Sequence, residues 1–260
     1  MSKILRMEEV DGVTFELRPN LRQPTQAGRV CLRKTPKLIE RYNALALELQ
    51  GCNMVEVGID QGGGTAYFTK LLRPKALLGI ELSSEPVCSL QSFLEEHDKK
   101  KCVDVRWGVD QSDTQKVPEL VQEVFGDEYL DVVVDDASHL YGPSVATFEM
   151  LFPRLRQAGV YIIEDWSADH LIERRLMEEA ASDPEDFARR VAVAGDVVQK
   201  TPFSMLIAEL VVASARNPDW IPLVRVARGI CEVRRGIAPI ASGTPLRDYL
   251  GELGQSMFNV

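Results

Sequence analysis

The stretches Leu130-Asp-Val-Val-Val-Asp-Asp-Ala-Ser-His139 and Gly159-Val-Tyr-Ile-Ile-Glu-Asp-Trp166 share one form: a short apolar, β-branched run that stops on carboxylates. Runs of this length, bounded by polar or turn residues, read as buried parallel strands. Ligands of an open α/β sheet sit beyond the carboxyl ends of its strands. Asp135, Asp136, Glu164 and Asp165 are therefore expected to project from neighbouring strand ends into one crevice. Crowded carboxylates repel, so a positive partner is expected among them, and a divalent cation is the simplest one. Capping of helices or pairing with arginines is the alternative use for such acids.

Upstream, Met54-Val-Glu-Val57 is a further short strand, followed by Gly58-Ile-Asp-Gln-Gly62-Gly63-Gly64-Thr65. Glycines at a strand-to-helix turn permit unusual φ values and let a ligand come close to the backbone. A tight turn with no ligand explains them equally simply. The next strand, Ala76-Leu-Leu-Gly-Ile-Glu81, ends in an acid 23 residues after Gly58. That is near the spacing at which an acidic side chain meets the ribose of a bound nucleoside. Asp60 stands where a second glycine of the dinucleotide fingerprint would be, so the motif is not that fingerprint.

Outward from these motifs, strands are expected over 54–57, 76–81, 103–107, 130–134 and 159–163, with helices over 65–72, 85–97, 115–125 and 143–156. Such alternation is the signature of a doubly wound, Rossmann-like parallel sheet. A helix is expected from Thr35-Pro36 to Gly51, with Pro in its first turn. Past His170, 171–181 and 184–194 read as charged helices and 203–215 as an apolar one. Trp220 to Val226 and Gly229 to Arg235 then form an expected C-terminal hairpin. Residues 1–34, with a possible hairpin over Val10–Leu17, read as an extension that covers the cleft or contacts another subunit of an oligomer; 35–260 read as one domain.

Composition narrows the function classes. The chain has 260 residues, 45% of them hydrophobic, enough for one large core. A net charge of −9 argues against a nucleic acid partner. Five scattered cysteines without zinc spacing suit reduced thiols, and no apolar run reaches membrane-spanning length, so a cytoplasmic protein without membrane insertion is expected.

Glu56-Val-Gly58, the Gly62-Gly63-Gly64 turn, Glu81 and Gly108-Val-Asp110-Gln-Ser together resemble class I S-adenosylmethionine-dependent methyltransferases. With Asp135-Asp-x-Ser-His139 and Glu164-Asp165, the chain is similar to a narrower group, the metal-dependent sugar O-methyltransferases of macrolide and aminocoumarin biosynthesis and their cephalosporin-hydroxylase-like relatives. The resemblance spans about Thr35 to His170. It implies a class I methyltransferase fold closed by an antiparallel hairpin, and a donor site at Glu56, Gly58, Gly62, Gly63, Gly64, Thr65, Glu81, Asp110 and Gln111. Asp110 would accept from the adenine amine. In the resembled family this strand-end spacing marks the metal ligands, which implies Asp136, Glu164 and Asp165 here, and three carboxylates suit Mg²⁺ or Mn²⁺ rather than zinc. Asp135, on the opposite side of an alternating strand, is expected to be structural.

His139 follows Asp136 by three residues, and imidazole suits removal of a hydroxyl proton near neutral pH. The resemblance makes it the general base; a surface-loop histidine is the plainer reading. Trp166 could floor a sugar site, and Tyr161 belongs in the core. The implied activity is Mg²⁺-assisted methylation of a hydroxyl on a small acceptor, a sugar or glycoside. Two rivals stand beside it: an Fe(II) hydroxylase using Asp136, His139 and His170, and a non-catalytic methyltransferase-like binding protein.

Overall fold

The computed structural model describes residues 6–18, 29–168, 170, 171, 174 and 201–258. Its centre is a seven-stranded sheet built from β4 (Asn53–Val57), β5 (Ala76–Glu81), β6 (Val103–Trp107), β7 (Leu130–Asp135), β8 (Leu155–Glu164), β9 (Leu223–Ala227) and β10 (Ile230–Arg234). The order across it is β6-β5-β4-β7-β8-β10-β9. β10 runs antiparallel to both of its neighbours, so β9 points the same way as the other five. This is the strand order of a class I methyltransferase sheet, with the expected hairpin at its end.

Strand alternation divides the core in two. Leu78, Val55, Val133 and Tyr161 lie in register across four strands and pack on one face; Leu77, Met54, Val132 and Val160 form the adjacent row on the other. Both rows are essentially inaccessible to water, as a parallel sheet covered on both faces requires. The first face is covered by α4 (Lys116–Phe125), α5 (Tyr141–Leu151), α6 (Ser204–Arg216) and α7 (Leu246–Phe258, broken at Gly251). The second is covered by α1 (Pro36–Ala46), α2 (Gly63–Leu72) and α3 (Cys88–His97). Thr35 caps α1 by accepting from the Leu38 N–H, and Pro36 occupies its first turn.

The N-terminal segment is part of that second layer. β1 (Arg6–Val10) and β2 (Val13–Leu17) pair antiparallel through Asp11-Gly12, both with positive φ. β3 (Arg29–Leu32) adds parallel to β2, a strand the sequence reading lacked. Phe15, Leu17, Val30 and Leu32 are buried in the same cluster as Tyr67 and Phe68 of α2.

Other boundaries differ from expectation, among them the end of α1 at Ala46 rather than Gly51. The helix expected over 143–156 ends at Leu151 in a 3₁₀ turn, Phe152–Arg154. Pro153 has no N–H to continue an α-helix, which accounts for the stop. β8 consequently begins at Leu155, and its pairing with β7 shifts register before resuming at Val160. The helices expected over 171–181 and 184–194 lie almost wholly outside the described residues.

Candidate active site

β7 and β8 lie side by side, so their carboxyl ends bring Asp136 and Asp165 together. The Asp136 N–H donates to the Val57 carbonyl at 2.8 Å, and the Asp165 N–H donates to the carbonyl of Gly229 in the β9–β10 turn at 2.9 Å. His139 Nε2 lies 3.2 Å from Asp136 Oδ1. Asp136, His139 and Asp165 can each offer a ligand atom within 4.8 Å of the others, the one such group found among the described residues. His139 and Asp165 both have left-handed backbones, φ 55° and 50°. Non-glycine residues seldom adopt that conformation, and its occurrence at a cleft is a mark of functional constraint.

The positive partner expected among the carboxylates is present in the chain itself. Lys34, directly after β3, is buried and places Nζ 2.6 Å from Glu164 Oε1 and 3.1 Å from Asp136 Oδ2. The Tyr42 hydroxyl donates to the same Glu164 oxygen. Glu164 is therefore held inward, although its neighbour Asp165 is exposed. Of the metal set implied by the resemblance, Asp136 and Asp165 stand in one group with His139, while Glu164 faces Lys34 and Tyr42. Lys34 and Tyr42 had no motif to announce them. The charge imbalance alone could have prompted a search for a lysine.

Electrostatics follow this geometry. Burial would raise the Asp136 carboxyl, but Lys34 and His139 hold it below the usual carboxylate range. Burial opposes charging of His139, yet its hydrogen bond to Asp136 and the surrounding acids raise its pKa. Burial lifts Glu164 to about 7, with Asp136 adding to the effect and Lys34 opposing it. Asp165, exposed on one side but partly desolvated by the strand-end mouth, is raised by that desolvation and by the Asp136 charge. Asp135 points away from this group, accepting from the Tyr161 hydroxyl at 3.2 Å and from Gln111 Nε2 at 3.4 Å, and burial pushes it to about 7. Its structural role is as the alternation suggests.

The Gly turn and Glu81 occupy the next strand ends. Glu81 Oε2 accepts from the Ile59 and Asp60 N–H groups at 2.9 and 3.0 Å, and Oε1 accepts from Ser83 N–H at 3.0 Å. A carboxylate has about four lone-pair sites, so these three bonds leave capacity for a ribose hydroxyl. A cleft of about 690 Å³ opens here, lined by Asp60, Gln61, Glu81, Ser83 and Val87 among others. Gly62 is left-handed at φ 79° and precedes α2 without a side-chain cap.

The glycines serve the chain itself more directly than anticipated. A Cβ on Gly58 would run into the Asp136 carbonyl and Ala137; on Gly63, into the Cys31 carbonyl; on Gly64, into the Glu56 carboxylate. Glu56 is buried and accepts from the Thr65 hydroxyl at 2.6 Å, so this pair also knits the turn internally. Asp110 is exposed and accepts from the Ser112 N–H and hydroxyl, which lower its pKa. Gln111 departs from the adenine contact implied by resemblance: it is buried, donating to Thr147 at 3.0 Å and accepting from the Ser138 N–H at 3.0 Å. Trp166 donates to the Ala227 carbonyl at 2.8 Å and so steadies β9. His170 Nε2 pairs with the Ser204 hydroxyl at 2.7 Å and is not one of the Asp136 group.

The sheet order is that of the class I methyltransferase fold. Residues 55–166 match a family profile described as "Methyltransferase domain" (Methyltransf_24). The fold and this match over residues 55–166 liken the chain to the class I S-adenosylmethionine-dependent methyltransferases, sugar O-methyltransferases among them. Among curated proteins, it is 39% identical over 56 residues to 8-demethyl-8-alpha-L-rhamnosyl tetracenomycin-C 2'-O-methyltransferase of Streptomyces olivaceus, covering 22% of this chain and 14% of that protein. It is 27% identical over 205 residues to a fatty-acid O-methyltransferase of Mycolicibacterium smegmatis, covering 76% of this chain and 69% of that protein. Among solved structures, MycE methyltransferase of the mycinamycin biosynthetic pathway, in complex with Mg and SAH, superposes with a TM-score of 0.50 at 18% identity over 88% of this chain and 55% of that one. That likeness concerns the fold. The matched segments span only 14% and 10% of the first two curated relatives.

Proposed function

We propose that the protein is an S-adenosylmethionine-dependent, divalent-cation-assisted O-methyltransferase acting on a hydroxyl of a sugar or glycosylated metabolite. The observation that carries this reading is the Asp136–His139–Asp165 group beside the Glu81 cleft, on the carboxyl edge of a methyltransferase sheet. The Asp136 and Asp165 carboxylates are oxygen donors that fit Mg²⁺ or Mn²⁺, and the His139 imidazole stands beside them for the proton. The sugar class draws on the rhamnosyl tetracenomycin-C methyltransferases of Streptomyces olivaceus. A carboxylic acid acceptor, as the name of the fatty-acid relative suggests for that protein, would ionise unaided near neutral pH and be repelled by this acidic mouth. A hydroxyl needs both the cation and the base.

In this reading Glu81 accepts from the donor's ribose, and the Gly turn before α2 lies toward its amino-acid portion. S-adenosylmethionine brings an already activated methyl group, while the cation lowers the pKa of a bound hydroxyl. Asp136 and Asp165 hold the cation and thereby the acceptor's orientation. His139 removes the hydroxyl proton, and the adjacent Asp136 carboxylate stabilises the resulting imidazolium. The five cysteines are scattered through the chain without zinc spacing, which supports a reducing compartment, the cytoplasm. No helix among the described residues is long and apolar enough to cross a membrane.

The test is methyl transfer from labelled S-adenosylmethionine to a panel of glycosides carrying vicinal hydroxyls. Product should form with Mg²⁺ or Mn²⁺, vanish with EDTA, and return on adding metal. Transfer undiminished in protein proved metal-free by elemental analysis would remove the cation from the reading.

A further inference from the structure

We propose that Lys34 is a resident counter-cation that competes with the divalent ion and keeps Glu164 out of its ligand set. This rests on the divalent-cation reading above. The ammonium bridges Glu164 Oε1 at 2.6 Å and Asp136 Oδ2 at 3.1 Å, while Asp136 Oδ1 is turned toward His139. One aspartate thus serves two positive partners on opposite oxygens. Glu164 has no comparable second face: it is almost inaccessible, and its bonded oxygen is shared by Lys34 and the Tyr42 hydroxyl. The ammonium also stands 5.8 Å from the ring centroids of both Tyr42 and Phe68, a cation–π setting that favours its charge in place.

The position of Lys34 is fixed from outside the site. Residues 31–34 form a strap over the crevice floor: the Cys31 carbonyl packs where a Gly63 Cβ would be, Arg33 donates to Asp60 Oδ2 at 2.6 Å, and Lys34 reaches the acids. A lysine held this way is a permanent unit of positive charge beside the cation's ligands. It lowers the electrostatic pull on a second cation. It also orients Asp136, which makes Lys34 a positioning residue rather than a catalytic one. Metal affinity, not only turnover, is therefore what its removal should change.

The experiment is Mn²⁺ titration, followed by electron paramagnetic resonance, of the full chain and of Lys34→Met, Glu164→Gln and the double variant. Circular dichroism first establishes that each is folded. Lys34→Met should bind Mn²⁺ roughly tenfold or more tightly, because a positive charge leaves and Glu164 becomes available. Glu164→Gln, with Lys34 intact, should stay within about threefold of the wild type, since a side chain outside the ligand set contributes little. The double variant should lose most of the gain of Lys34→Met. Loss of Mn²⁺ binding in Glu164→Gln alone would overturn the proposal by making Glu164 a ligand, and this arm stands even if Lys34→Met does not fold. Unchanged or weaker binding in folded Lys34→Met would overturn it too, leaving the cation reading intact. Absence of Mn²⁺ binding in both the wild type and Lys34→Met would overturn the cation reading itself.

Discussion

At Glu56 burial and charge pull in opposite directions, and burial wins. The carboxyl is buried beneath the Gly turn and pushed up to about 8, even though the Thr65 hydroxyl and Lys34 both favour its ionised form. An unfolded glutamate titrates near ~4.3. Between those two values the native state holds the proton more tightly, so the stability that Glu56 contributes falls as pH rises from about 4.3 toward about 8. Glu56→Gln keeps the shape and removes the titration. Its melting temperature should gain on the wild type steadily across that interval, and parallel melting profiles would show that Glu56 does not titrate there. His139 is the other single residue on which the proposed chemistry turns. His139→Ala should lower methyl transfer by roughly 10²–10⁴-fold, the range for a positioned base. S-adenosylhomocysteine affinity, measured by calorimetry, should stay unchanged, since the Glu81 cleft does not include His139. Near-wild-type turnover would return the residue to the surface loops.

What could be read of the site at this scale depended on whether chemistry and sequence were adjacent. Asp136, His139 and Asp165 stand within short motifs, and the structure draws them together. Asp135 could be set aside by strand alternation alone. Lys34 could not be placed, because the strap that carries it is 102 residues from Asp136 in the chain. Gln111 was drawn to the adenine by its motif, yet its amide is consumed in bracing the loops after β6 and β7.

Among elements, α2 shows why a glycine-rich turn is ambiguous evidence for a ligand. Alanine inside a helix is favoured over glycine by about 1 kcal/mol, so Gly63→Ala on an uncrowded helix would stabilise it. Here the added Cβ meets the Cys31 carbonyl, part of a strand that cannot swing aside like a side chain. Overpacking of this kind costs about 1–3 kcal/mol, and in a chain of this size each kcal/mol moves the midpoint by about 2–4 °C. Gly63→Ala should therefore lower the melting temperature by several degrees; a rise would show that β3 yields. Elements with a strong period were legible from the residues: the five inner strands, α1 with its Thr35 cap, and the β9–β10 hairpin. Boundaries set by backbone chemistry were less so. Pro153 stops α5 early, and β8 starts four residues before its apolar run and bends through Ala158 at φ 61°. β3 escaped notice because four residues without clear alternation resemble any loop.

For the whole molecule, the decisive question is what the N-terminal sheet does. Its sequence suggested a cover for the cleft or a subunit contact, either of which could be removed with the fold left standing. The structure buries Phe15, Leu17, Val30 and Leu32 among α1 and α2 residues and delivers Lys34 to the acids. Each such side chain contributes about 1.5–3 kcal/mol, so the four together supply about 6–12 kcal/mol. Native domains have only about 5–15 kcal/mol in total. Removing residues 1–34 also strips Asp136 and Glu164 of their counter-cation, adding an electrostatic cost of the same sign. The truncated chain should lose its cooperative thermal transition and its near-UV dichroism, because Tyr42, Tyr67 and Phe68 lose the wall they pack against. Lys34→Met in the full-length chain separates the two contributions: it should melt lower than the wild type but keep a single sharp transition. A truncated protein that melts cooperatively near the wild-type temperature would make the N-terminal sheet an appendage.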